Sequence, residues 1–174
     1  TTENALDLAI SGDGYFSVQQ ADGTIAYSRD GSFKLSADGN LVTAGGQAVL
    51  PAITVPQNAA SLTIGRDGVV TVELANGGGS SQIGQLQLTR FVNNSGLQPI
   101  GRNLMQQTNA SGDPLVVLPG TDGAGMLMQG ALEASNVNVV EEMVNMIETQ
   151  RAYEVNSKAI SAADGMLRFL NNNL

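Results

Sequence analysis

Cysteine, histidine and tryptophan are absent from this chain. Without cysteine there is no disulfide framework and no thiolate metal site, which fits the cytosol or an exported protein that does not rely on disulfides. Without histidine the usual general base and the usual zinc ligand are gone. Aromatic residues make up only 4% of the chain. Positive charge is also scarce: eight Lys and Arg against sixteen Asp and Glu leave a net charge of −8. That balance argues against a nucleic-acid backbone as partner. No apolar run approaches the roughly 18 residues that would span a bilayer, so no membrane insertion is expected, and no signal peptide is visible. The chain opens on Thr1-Thr2-Glu3 without an initiator Met and is expected to be a fragment or a processed form.

What remains is a 174-residue chain with 42% hydrophobic residues, enough for one medium domain or a small domain with an appendage. Its organising stretch is the last one, from Ser135 to Leu174. That stretch lacks proline, and its single glycine is Gly165. Val139, Met146, Tyr153, Ile160, Leu167 and Leu174 recur at steps of seven, a helical stripe that seeks a partner helix. Val140, Val144, Ile147 and Val155 lie on a different face. The positions alternating with the stripe, Glu142, Thr149, Asn156, Ala163 and Leu170, turn from polar to apolar along the helix. Two apolar faces imply neighbours on more than one side; the alternative is a single amphipathic helix lying on its own β-domain. Asn138 with Glu141 three residues later predicts an N-cap with a capping-box acid. Glu148, Arg151, Glu154 and Lys158 are spaced for a rung of ion pairs.

The rest of the chain reads as strands and turns. Asp22-Gly23, Asp30-Gly31 and Asp38-Gly39 punctuate it at intervals of eight. Asp-Gly supplies the positive φ of tight hairpins, so the short β-suited runs between these turns predict an antiparallel meander. Ile53–Val55 is a further expected strand. Ser61–Ile64 and Val69–Val72 flank Asp67-Gly68 as another hairpin. Asn76–Ser81 is flexible by composition, Ile83–Val92 is the strongest strand, and Met126–Glu133 is a last strand before the helix. Residues 1–134 are therefore expected as a mainly β, antiparallel globular domain, and 135–174 as a long C-terminal α-helix. About a fifth of the chain should be helical.

Motifs for chemistry are weak. Gly120-Thr-Asp-Gly123-Ala-Gly125 lacks the Gly-Lys-Ser/Thr ending of a phosphate loop and the G-x-G-x-x-G order, so a plain turn is expected. No Asp-Gly turn has the ligand ladder of a calcium loop. The turn aspartates Asp13, Asp22, Asp30, Asp38 and Asp67 occupy capping positions rather than apolar settings suited to acid catalysis. No catalytic residue, cofactor or metal site is expected.

The run from Ser135 to Ile160 closely resembles the C-terminal signature of bacterial flagellar axial proteins, the basal-body rod family, and within it the distal rod subunits. Gly12–Phe16, Tyr27–Phe33, Leu41–Gly46 and Leu97–Gly101 resemble the same family, and the similarity covers essentially the whole chain. Assignment to the distal rod rests on overall size and on the absence of an inserted outer domain, and Gly12–Phe16 and Tyr27–Phe33 are shared with proximal rod and hook subunits.

The resemblance implies a structural subunit without enzymatic activity, exported unfolded through the flagellar channel without a cleaved signal. It would assemble helically into a hollow periplasmic drive shaft that transmits torque. It also implies a paired N-terminal helix that this chain does not contain, and self and other rod and hook subunits as partners. The expected assembly residues are Val139, Val140, Val144, Met146, Ile147, Tyr153, Val155, Ile160, Leu167 and Leu170. The alternatives are another axial subunit, or a stand-alone β binding module with a helical stalk.

Overall fold

In a computed structural model, fourteen short strands precede one long helix among the described residues. The structure describes residues 1–75 and 79–172, apart from the side chains of residues 167 and 169–172. The chain divides into two compact units, Thr1–Glu133 and Ala134–Leu174. Helix accounts for 20% of the chain and strand for 37%.

The first unit is antiparallel throughout. Its largest sheet contains β2 (Phe16–Gln19), β3 (Ile25–Ser28), β4 (Phe33–Leu35), β5 (Leu41–Thr43), β6 (Ala48–Leu50), β11 (Gln98–Gly101) and β12 (Leu104–Gln106). Their spatial order is β11-β12-β3-β2-β6-β5-β4. A second sheet joins β7 (Ala59–Ile64), β8 (Val69–Leu74) and β9 (Ser80–Gln85). Two ribbons complete the unit: β10 (Leu88–Arg90) pairs with β13 (Leu115–Val117), and β1 (Leu8–Ser11) pairs with β14 (Met126–Gln129). Aliphatic residues and two phenylalanines fill the main core, where the Phe16 and Phe33 rings meet edge to face at 4.9 Å. A smaller cluster holds Tyr15, Tyr27, Phe91 and Leu97.

The sheet order corrects the expected meander. Asp22-Gly23 joins paired β2 and β3, and Asp38-Gly39 joins paired β4 and β5, each glycine at positive φ. Asp30-Gly31 is no hairpin, because β3 and β4 lie at separate places in the sheet. Its job is a crossing. Leu8 donates its N–H to the Gly31 carbonyl at 3.0 Å, and a Cβ on Gly31 would sit 1.8 Å from the Leu8 carbonyl oxygen. Gly31 is thus required by close backbone approach rather than by a turn.

Other expectations also shift. Ala48–Leu50, which sequence reading did not single out as a strand, forms β6 between β2 and β5. Ile53–Val55 contributes only an isolated bridge, Asn40 to Thr54. Ile83–Val92 divides into β9 and β10, with Leu86 and Leu88 both fully buried. Ser80 and Ser81 open β9 instead of ending a loop, while residues 76–78 lie outside the described ones.

Arg29 holds several segments together, and sequence reading did not single it out. Its guanidinium donates to the carbonyls of Gly14, Gly12 and Ile10 at 3.1, 3.0 and 3.3 Å, and its Nε pairs with Glu133 at 2.8 Å. These bonds tie Arg29 to the end of β1 and to the turn that leads into β2. They also give a physical reason for Arg within the Tyr27–Phe33 motif.

Candidate functional site

The second unit is α1, Val139–Asn172, a helix of 34 residues and so about 51 Å long. Its start follows the sequence: the Asn138 side chain accepts the Val140 N–H at 3.1 Å, and the Asn138 carbonyl takes the Glu142 N–H at 3.0 Å. This is N-cap geometry. Among the described residues Glu141 makes no reciprocal hydrogen bond, so the capping box is only half formed. Glu141 and Glu142 still suit the positive end of the helix dipole.

Some polar side chains of the helix bond within it. Thr149 and Ser161 donate their hydroxyls to the carbonyls four residues back, at 2.8 and 3.0 Å. The expected rung of Glu148, Arg151, Glu154 and Lys158 does not form. Among the described residues the only ion pair of the helix joins Asp164 and Arg168 at 3.1 Å. Long exposed side chains gain little by pairing when water serves each charge as well.

The apolar groups have no such substitute. Val139, Val140, Val144, Met146, Ile147, Tyr153, Val155 and Ile160 are all more than half exposed, Tyr153 at 77%. Leu167 and Leu170 fall within α1, but their side chains lie outside the described residues. Met143 and Met166 are equally exposed. Sequence reading missed them, although Met143 lies four residues beyond Val139 and three before Met146 on the same face.

Helical geometry adds a second feature. A straight helix drifts about 20° per heptad, so the stripe from Val139 to Ile160 slides around the surface. From Val139 to Ile147 the apolar residues gather on one side. From Ala152 to Met166, with Val155, Ala159, Ile160 and Ala163, they occupy nearly the opposite side. One flat partner cannot cover both.

Chemistry is not concentrated anywhere comparable. Among the described residues no three His, Cys, Asp or Glu side chains gather as metal ligands would. Among the described residues no helix is long and apolar enough to cross a membrane. The perturbed carboxylates belong to turns. Hydrogen bonds from the Thr24 hydroxyl and N–H hold Asp22 below the usual carboxylate range. Burial pushes Asp30 up, but bonds from the Ser32 hydroxyl, the Ser32 N–H and the Asn103 amide outweigh it, so Asp30 also lies low. Burial pushes the Tyr15 and Tyr27 phenols up. These are the shifts of structural side chains, not of an acid–base pair.

Similarity to known proteins follows the same division. Residues 9–72 match the flagellar hook protein FlgE/F/G D1 domain. Residues 128–173, which include the end of the β unit and the helix, match the flagellar basal body rod FlgEFG protein C-terminal domain. The flagellar basal-body rod protein FlgG of Buchnera aphidicola subsp. Schizaphis graminum is 53% identical over 169 residues, covering 97% of this chain and 65% of the relative. FlgG of Borreliella burgdorferi is 46% identical over 174 residues, covering 99% and 66%. FlgF of Caulobacter vibrioides is more distant, 39% identical over 158 residues, covering 88% and 59%. The chain thus spans slightly under two thirds of the length of these FlgG relatives. With both domain types present and the similarity running nearly end to end, the chain belongs to the FlgG family of flagellar basal-body rod proteins.

Proposed function

We propose that this chain is the β unit and C-terminal helix of a structural rod subunit of the bacterial flagellum. The subunit would polymerise helically into the hollow shaft that carries torque from motor to hook. The observation that carries this reading is the helix, with apolar side chains exposed along its whole described length and changing sides midway. Leaving large aliphatic groups wet forfeits about 1.5–3 kcal/mol each, which assembly recovers by burying them. The binding residues are Val139, Val140, Val144, Met146, Ile147, Tyr153, Val155 and Ile160, with Leu167 and Leu170 continuing the surface. One side would meet a helix from the part of the subunit beyond this chain, the other a neighbouring copy. Self, other rod subunits and hook subunits are the partners. The subunit acts in the periplasm, reached by the flagellar export route without a cleaved signal, and performs no catalysis. Greater identity to FlgG than to FlgF supports the distal rod position.

The test is Ile160→Asp in the full-length protein, expressed in cells lacking their own copy. Rod formation and swimming should be lost, while the β unit melts as before. Normal motility at verified expression would show that this surface is not an assembly interface.

A further inference from the structure

The hairpin of β11 and β12 turns through two residues, Arg102 and Asn103, since Gly101 pairs with Leu104 across it. Both have positive φ, 54° and 59°. This is the backbone of a type I′ turn, which favours Asn-Gly because the left-handed region is costly for other side chains. Asn103 has local compensation. Its carbonyl accepts the Ser28 hydroxyl at 2.8 Å, and its amide donates to Asp30 Oδ2 at 3.0 Å. Arg102 has none: among the described residues it makes no hydrogen bond or ion pair, and it is exposed. An arginine is held where glycine would fit better.

Arg102 also lines a cleft of about 260 Å³ with Asp30, Thr43, Gln47 and Asn103. The Asp30 carboxylate is already engaged, accepting from Ser32 and Asn103. The guanidinium is therefore left with its donors unassigned beside this recess. The β unit has five cationic side chains, Arg29, Lys34, Arg66, Arg90 and Arg102, against more than twice as many Asp and Glu. Arg29 pairs with Glu133, and Arg90 approaches Asp13. Identical copies of so acidic a unit repel unless cations are presented where acids arrive. The unit presents such acids on turns: Asp22 and Asp38 are both exposed.

We propose that the Arg102–Asn103 turn is a contact point between copies of this chain, with Arg102 reaching an acidic turn of a second copy at the mouth of this cleft. The patch and its complement lie at different places on the unit, so the contact is head-to-tail, the kind that propagates into an open helical array. The inference rests on the rod reading above and adds the β unit to the assembly surface.

The test uses full-length protein assembled in vitro, with the soluble concentration at equilibrium measured by sedimentation. The variants are Arg102→Gly, Arg102→Glu and Arg102→Lys. Glycine accepts the turn's backbone, so Arg102→Gly should melt at or above the parent temperature. Its soluble concentration should nevertheless rise about fivefold, the worth of one exposed ion pair, with a larger rise for Arg102→Glu and little for Arg102→Lys. Parent and Arg102→Glu assembling at the same concentration would overturn the contact while leaving the rod reading intact. A parent that forms no tubes would overturn the rod reading itself.

Discussion

The two units use the same side chains to opposite ends. In the β unit Ile64 and Val72 are 6% and 0% exposed; in the helix Ile160 and Val140 are 70% and 69% exposed. Nothing intrinsic to isoleucine or valine distinguishes these positions. The difference is whether the surface that covers them is supplied by this chain. The β unit meets its own needs by pairing strands distant in sequence, as when β1 closes on β14. The helix satisfies its backbone alone and leaves its large apolar side chains exposed. On the proposed rod reading, an exposed aliphatic row on a well-capped helix is an assembly surface rather than a defect of folding.

The sharpest way to break this contrast is to make the same kind of truncation in each unit. Phe16→Ala removes a fully buried ring packed on Phe33 and should destabilise the β unit by about 3–5 kcal/mol, read from denaturant unfolding. Tyr153→Ala, in the helix, should leave that transition where it was. Equal losses from the two would mean that the helix is part of the core. A smaller effect is expected at the crossing: Gly31→Ala forces a Cβ onto the Leu8 carbonyl and should cost about 1–3 kcal/mol in the same measurement, although alanine is a mild substitution elsewhere.

Acid should separate the units next. Asp30 is held below its usual range when folded, so its contribution is fully present above about pH 4 and is lost as pH falls through the depressed value. Asp30→Asn should cost about 1–2 kcal/mol at neutral pH, where the charged hydrogen bonds operate, and should flatten the fall in β-unit stability below pH 4. An unchanged acid limb would exclude Asp30 as its source. The smallest effect is at the helix cap. Asn138→Ala should weaken the first turn of α1 by about 1 kcal/mol, seen as faster amide exchange there, with no change in the β unit.

The local sequence determined a good deal: the helix, from its lack of proline and its apolar repeat; its start, from Asn138; and the hairpins at Asp22-Gly23, Asp38-Gly39 and Asp67-Gly68. Each depends on residues a few positions apart, where backbone preference and side-chain spacing act directly. Tertiary structure alone decided the rest. Asp30-Gly31 has the same letters as its neighbouring turns but is a crossing, because β3 takes β12 rather than β4 as its second partner. The β11–β12 hairpin turns on Arg-Asn, with no glycine at its centre to betray it, and Arg29 finds its acceptors only once distant loops converge. Strand pairing is a competition among many similar short runs. It is settled by which arrangement buries the most apolar surface and leaves the fewest backbone groups unpaired, and no window of sequence contains that sum.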